Sequence, residues 1–237
     1  MSTYVLIHGA WHGGWCWDKV VPILEKEGHR VKAPDLPGHG NDKTPIPRIS
    51  LQSYVDSVCQ LLDAQTEPVI LVGHSMGGVV ITQTAEYRPE KIKTLVYLTA
   101  FLPRNGEFLL QHAEGDKEAL VLPNMIMAED QSYATVKEEA LKEVFYGDCS
   151  HEDVTRAKSL LVAQAAAPFA TPVNTTEEKF GRVPRVYISC LGDRAISPEV
   201  QEKMYRALPC EKVISMDTDH SPFFSAPEEL SGHLLSL

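Results

Sequence analysis

The sequence predicts an α/β fold in which a mostly parallel, doubly wound sheet carries an inserted helical cap. Short, continuous apolar runs, typical of strands that are buried on both faces, alternate with segments that carry apolar residues at helical spacing. This alternation is interrupted between about residues 103 and 181, and it then resumes. We therefore expect a core made of residues 1–102 and 182–237, with residues 103–181 as the insertion.

The predicted core elements follow one another from the start of the chain. The predicted strands lie at 4–7, 31–34, 69–72, 95–98, 186–190 and 213–216. The predicted helices lie at 15–27, 51–62, 79–87, 198–208 and from 227 onward. Because right-handed crossovers join parallel strands, the residues that directly follow the strands meet at one edge of the sheet, where ligands bind in such folds.

The insertion is rich in residues that favour helices, especially at 134–145 and 151–167, and it contains no clear strand. We expect it to form a helical cap above that edge of the sheet. Its apolar side chains either wall a substrate pocket or form the core of the cap itself, and the second outcome is the commoner one for any single residue. Met125 and Phe145 are the cap residues that we assign to the pocket.

The composition excludes several classes of partner. Twenty-two basic and 32 acidic residues give a net charge of −10, which opposes binding to nucleic acid or to an anionic membrane. No apolar run approaches the ~20 residues that span a bilayer, and no basic leader opens the chain, so we expect a cytoplasmic protein. The five cysteines are scattered without a C-x-x-C pair, which indicates free thiols.

Ser75 is the candidate nucleophile because it lies at the centre of the G-x-S-x-G segment 73–77. The predicted strand before it and the predicted helix after it are the context of a nucleophile elbow, a sharp turn that exposes the serine. Gly73 and Gly77 remove side chains beside this bent backbone. The motif alone is weak, since a glycine-rich turn with an unreactive serine matches it too, and the flanking elements favour the nucleophile.

A serine hydroxyl needs an imidazole to accept its proton and a carboxylate to orient that imidazole. His220 directly follows the last predicted strand, and Asp193 follows the strand before it. Asp217 and Asp219 are alternatives for the acid, but they share the loop of the histidine, whereas Asp193 comes from an adjacent strand. We therefore predict the triad Ser75, Asp193 and His220, in the chain order Ser, acid, His that this architecture uses.

An oxyanion formed at Ser75 needs two backbone N–H donors, one from the residue after the nucleophile and one from the loop after the first strand. These donors would be Met76 and Ala10. Trp11 follows in the same loop and either lines the pocket or seals the loop. His8 and His12 are four residues apart but lie on a strand end and a loop without a carboxylate partner, so we predict no metal.

Four motifs together resemble the α/β-hydrolase superfamily. They are Gly-His-Ser-Met-Gly-Gly at 73–78, His-Gly-Ala-Trp-His-Gly-Gly-Trp-Cys-Trp at 8–17, Asp-Arg-Ala-Ile at 193–196 and Asp-His-Ser-Pro at 219–222. More narrowly, the chain is similar to a compact group of plant methyl esterases, plant hydroxynitrile lyases and bacterial esterases such as pyrethroid hydrolases. The resemblance implies carboxylesterase activity on a small-molecule ester, no cofactor, and a homodimer.

The resemblance leaves several alternatives open. Hydroxynitrile lyases of this group place a threonine after the histidine of the first strand and a lysine directly after the catalytic histidine. Gly9 and Ser221 occupy those positions here, which favours ester hydrolysis. A slow-turnover small-ligand receptor of the same fold is a further alternative, and a lactonase or thioesterase would use the same residues.

Overall fold

The computed structural model describes all residues 1–237 and contains a six-stranded and a three-stranded sheet. The strands are β1 Thr3–Ile7, β2 Arg30–Lys32, β3 Val69–His74, β4 Ile92–Leu98, β5 Met125–Met127, β6 Tyr133–Val136, β7 Gln164–Ala165, β8 Arg185–Cys190 and β9 Lys212–Met216. The helices are α1 Val21–Lys26, α2 Leu51–Asp63, α3 Gly77–Tyr87, α4 Leu109–Gly115, α5 Val121–Asn124, α6 Leu141–Phe145, α7 His151–Leu160, α8 Ala167–Ala170, α9 Pro198–Ala207, α10 Pro222–Ser225 and α11 Pro227–Leu235.

The six-stranded sheet has the order β2-β1-β3-β4-β8-β9, and all its neighbouring strands are parallel. The chain steps from β1 outward to β2 and then crosses back to β3 on the other side of β1. Right-handed crossovers therefore place α1 on the face opposite α2 and α3, and α11 packs against α1. The predicted doubly wound α/β fold is confirmed, and its switch point lies between the carboxyl ends of β1 and β3.

Burial explains why the strands are apolar without alternation. Every residue of β3 and β8 is buried, whereas the edge strands β2 and β9 are largely exposed. A central strand that is covered by helices on both faces has no solvent side, so polar residues do not alternate along it.

The segment between β4 and β8 differs from the expectation. The prediction that it contains no strand is wrong, because β5, β6 and β7 form an antiparallel sheet. Of the two stretches rich in helix-favouring residues, 134–145 becomes α-helix only from Leu141, and 151–167 is helical only as far as Leu160. β5 and β6 form a local hairpin in which Met127 pairs with Ala134, and Tyr133, Thr135 and Val136 of β6 are residue types that favour strands.

The helix predicted at 15–27 is also shorter than expected. A tight turn at Gly14–Trp17 precedes α1, which begins only at Val21. None of the helices combines the length and the apolar character that crossing a membrane requires. The five cysteines are free thiols, and four of them are buried.

Candidate active site

Ser75 lies on a sharp turn between β3 and α3, where its φ of 55° is in the left-handed region. Two glycines permit this turn through close backbone contacts. A Cβ atom on Gly73 would lie 2.7 Å from the carbonyl carbon of Gly77, and one on Gly77 would lie 2.8 Å from the carbonyl oxygen of Ile7. The Ser75 side chain is half-buried between fully buried neighbours, as an elbow that presents a hydroxyl requires.

His220 and Asp193 meet because the strands before them are neighbours. Cys190 at the end of β8 pairs with Met216 at the end of β9, so the two following loops leave the sheet side by side. His220 Nδ1 lies 2.7 Å from Asp193 Oδ2, and both side chains are buried. Because the carboxylate holds the proton on Nδ1, the lone pair on Nε2 can accept a proton.

Asp193 is bound by several other donors besides His220. Its Oδ1 accepts the backbone N–H groups of Ala195 at 2.6 Å and Ile196 at 3.0 Å. Its Oδ2 also accepts the hydroxyl of Thr99 and lies 3.4 Å from Nε2 of Gln201. These donors satisfy a buried carboxylate that has no cation beside it.

The contacts of Thr99 and Gln201 with Asp193 were not predicted from the sequence. Thr99 directly follows β4, the neighbour of β8, so its position after a strand was a usable signal. The contact itself depends on the strand order, which the sequence does not state. Gln201 lies on α9 and carried no signal at all.

Asp217 and Asp219, the two alternatives for the acid, lie in different environments from that of Asp193. Asp219 accepts the backbone N–H groups of Asp148 and Ser221, each at 3.0 Å, and so connects the His220 loop to the insertion. Asp217 is exposed and makes no hydrogen bond. Neither carboxylate contacts the imidazole of His220.

The two predicted oxyanion donors are free. The backbone N–H groups of Ala10 and Met76 have no acceptor within the protein, and both residues line the same cavity as Ser75. Leu36 N donates to His8 Nε2 at 3.0 Å, so the proton of His8 is on Nδ1, which donates to the Gly9 carbonyl at 2.8 Å. That carbonyl belongs to the same peptide unit as the Ala10 N–H, whose orientation it therefore fixes.

An apolar cavity opens on Ser75. Fourteen of its 15 lining residues are hydrophobic, and Ser75 is the exception. The lining includes the three predicted pocket residues Trp11, Met125 and Phe145. It also includes Phe101, Leu109, Leu110, Ala113, Val121, Leu122, Phe169, Ala195 and Ile196. The interior therefore suits an apolar group and offers no partner for a charged one.

Trp11 contacts both the cavity and the insertion. Its ring lines the cavity, and its Nε1 donates to the carbonyl of Ala134 in the insertion at 2.9 Å. No three His, Cys, Asp or Glu side chains are grouped so that they could hold a metal ion. His8 and His12 instead bind the carbonyls of Gly9 and Ala10.

The positions that distinguish hydroxynitrile lyases have little room here. A Cβ atom on Gly9 would lie 2.8 Å from Ser75 Cβ and 3.0 Å from His74 Nδ1. Ser221 is fully buried. A threonine at the first position would press on the nucleophile, so this backbone favours glycine there.

Comparison with known proteins matches this geometry to one family. A family model described as "Alpha/beta hydrolase family" matches residues 4–232. The chain belongs to this family. It is 35% identical over 240 residues to a pyrethroid hydrolase of Sphingobium wenxiniae, an alignment that covers 98% of this chain and 85% of that protein. It is 35% identical over 251 residues to methylesterase 2 of Arabidopsis thaliana, with 99% of this chain and 95% of that protein covered.

A solved structure shares the whole architecture. The crystal structure of a pyrethroid hydrolase from Sphingobium faniae JZ-2 superposes with a TM-score of 0.89 at 32% identity. The superposition covers 99% of this chain and 96% of that one. These relatives confirm the predicted resemblance and the prediction that the chain is a carboxylesterase.

Three buried histidines should make the stability of this α/β hydrolase depend on pH. Burial lowers the pKa of His12 to about 4, and it lowers the pKa values of His8 and His74 well below the usual 6.5. As the pH falls below 6.5, the unfolded chain binds protons at these residues that the folded chain does not bind. The free energy of unfolding should therefore fall by up to ~1.4 kcal/mol per pH unit for each histidine between pH 6.5 and 5.

Urea titrations at several pH values measure this loss. His12→Gln should reduce the loss, whereas His151→Gln, at an exposed position on α7, should not. Equal stability of the unmodified protein at pH 7 and pH 5 would contradict the assignment of neutral, buried imidazoles.

Proposed function

We propose that the protein is a serine carboxylesterase that cleaves the ester of an uncharged, apolar small molecule through an acyl-enzyme on Ser75. One observation carries the proposal. Ser75 is the single polar side chain that lines an apolar cavity, and the unpaired N–H groups of Ala10 and Met76 line that cavity with it. Such a site combines a nucleophile with unpaired N–H donors that can bind an oxyanion.

In the proposed reaction, His220 Nε2 takes the proton of Ser75 Oγ while the oxygen attacks the ester carbonyl. The N–H groups of Ala10 and Met76 donate to the oxyanion of the tetrahedral intermediate. When the intermediate collapses, His220 returns the proton to the departing alcohol. A water molecule, activated by the same imidazole, then hydrolyses the acyl-enzyme and frees Ser75.

Asp193 would support each of these steps without exchanging a proton. It keeps the proton of His220 on Nδ1, and its charge stabilises the imidazolium that forms during attack. The hydrogen bonds from Ala195, Ile196 and Thr99 hold the carboxylate in the required orientation.

The cavity wall supports an uncharged substrate. Its hydrophobic residues gain free energy when they bury apolar groups, but they leave a carboxylate or an ammonium without a partner. Relatives named for pyrethroid and methyl ester hydrolysis act on molecules of the ester class, which agrees with this chemistry.

Ser75→Ala should abolish turnover because it removes the proposed nucleophile. We expect kcat for p-nitrophenyl butyrate to fall by at least ~10⁴-fold, with an unchanged circular dichroism spectrum. Retention of activity in this variant would refute the assignment of Ser75. A single burst of product from the unmodified protein, without steady-state turnover, would instead favour the slow receptor.

Asp193→Asn should preserve the packing but favour the wrong tautomer of His220, and so lower kcat by about 10⁴-fold. Asp217→Asn is the control because that carboxylate is exposed and makes no hydrogen bond. Steady-state kinetics on both variants compares the two acids. A larger loss of kcat in Asp217→Asn would instead identify Asp217, in the loop of His220, as the acid.

Charge on the acyl group should be strongly disfavoured. We expect kcat/KM for p-nitrophenyl butyrate to exceed that for mono-p-nitrophenyl succinate by at least ~100-fold, because the carboxylate of the latter would be buried among apolar side chains. Leu122→Arg places a cation on the cavity wall and should narrow this ratio, whereas Ile126→Arg, at an exposed position outside the cavity, should not. Equal use of both esters by the unmodified enzyme would contradict an apolar acyl site.

A further inference from the structure

The loop after β1 is attached to the insertion by three hydrogen bonds. The N–H of Val162 donates to the carbonyl of Trp11 at 3.0 Å, and Trp11 Nε1 donates to the carbonyl of Ala134 at 2.9 Å. The hydroxyl of Tyr146, the residue after α6, lies 2.7 Å from His12 Nε2. The loop that carries the proposed oxyanion donor Ala10 is therefore held by the insertion as well as by the sheet.

The Tyr146 contact continues through the imidazole to the loop backbone. His12 Nδ1 lies 2.8 Å from the carbonyl oxygen of Ala10. Burial lowers the pKa of His12 to about 4 and raises that of Tyr146, so both groups are neutral near pH 7. The Ala10 carbonyl can only accept, so the single proton of the neutral imidazole is on Nδ1, and the Tyr146 hydroxyl donates to Nε2.

This stretch of backbone needs such support. Trp11 has a φ of 63°, in the left-handed region that residues with a Cβ atom seldom adopt. A conformation of this kind persists where the surroundings hold it in place. The carbonyls on the two sides of Ala10 are each held by an imidazole, the Gly9 carbonyl by His8 and the Ala10 carbonyl by His12.

His8 and His12 differ in what orients them. His8 takes its second hydrogen bond from the backbone of Leu36, within the core. His12 takes its second hydrogen bond from a side chain of the insertion. The position of the oxyanion loop is thereby coupled to the element that covers the cavity.

We propose that Tyr146 is a positioning residue of the esterase, which acts through the imidazole of His12 to hold the Ala10 N–H toward the oxyanion. The inference rests on the proposed function. Tyr146 does not line the cavity at Ser75, and its side chain is fully buried. Removal of its hydroxyl should leave the cavity intact while the oxyanion donor loses its alignment.

Tyr146→Phe tests the proposal because it removes one oxygen atom and keeps the ring. We expect kcat for p-nitrophenyl butyrate to fall about 10- to 100-fold with KM within about twofold, since the donor acts in the transition state. The rate at which a neutral p-nitrophenyl alkylphosphonate modifies the protein should fall by a similar factor, because that reaction also forms an oxyanion.

Tyr54→Phe is the matched control. Tyr54 is also a buried tyrosine, and its hydroxyl accepts a hydrogen bond from Nε2 of Gln164 in the insertion at 3.0 Å. It makes no hydrogen bond to the oxyanion loop. If the tyrosine hydroxyls only stabilise the insertion in general, kcat should fall equally in Tyr146→Phe and Tyr54→Phe. That result would overturn the proposal. A loss confined to Tyr146→Phe, at a similar melting temperature, supports it.

His12→Gln provides a second, independent variant. If Tyr146 acts through His12, Tyr146→Phe should add little to the loss of kcat that His12→Gln causes alone. If the losses of kcat caused by the two substitutions add up in the double variant, the proposed coupling is wrong. It is also wrong if Tyr146→Phe has the same kcat as an active unmodified protein. If the unmodified protein neither hydrolyses esters nor reacts with the phosphonate, the proposed function fails first, and the positioning role fails with it.

Discussion

The buried hydrogen bond between His220 Nδ1 and Asp193 is the contact on which the rest of the site depends. It joins the loops after two neighbouring strands, and it exists only because β8 and β9 are parallel and in register. A carboxylate without a nearby cation is costly to bury, and the chain compensates by directing backbone and hydroxyl donors at both oxygens. The same donors that make the buried charge tolerable also hold the imidazole in one tautomer.

The proposed nucleophile and oxyanion donors depend on a second constraint, the close approach of β1 and β3. The pairing of Ile7 with Gly73 brings the two following loops together at the switch point of the sheet. Glycines at 9, 73 and 77 leave room for the turn of Ser75, whose backbone is strained. Apolar side chains from the segment between β4 and β8, among them Leu110, Met125 and Phe145, line the cavity at this edge.

Features with a local signature could be predicted from the sequence. The strands of the core are continuous apolar runs, the elbow has a fixed glycine spacing, and Asp193 and His220 each follow a strand in the order that the architecture requires. Features that depend on pairing between distant segments could not be predicted. The strands β5, β6 and β7 have only two to four residues each, too few for a clear alternating pattern, and β7 reaches β6 from a distant part of the chain. The hydrogen bonds of His12 with Tyr146 and of Thr99 with Asp193 likewise join residues whose neighbourhood only the fold establishes.

Mapping of the covalent adduct formed by a neutral p-nitrophenyl alkylphosphonate tests the central claim most directly. The reagent should transfer its phosphonyl group to the activated hydroxyl with release of one equivalent of p-nitrophenol, because the phosphoryl oxygen gains negative charge during the attack and can use the same donors as the ester. Peptide fragmentation by mass spectrometry should place the added mass on Ser75, in parallel with the loss of esterase activity. Modification of a different residue, or complete loss of activity while Ser75 stays unmodified, would contradict the account.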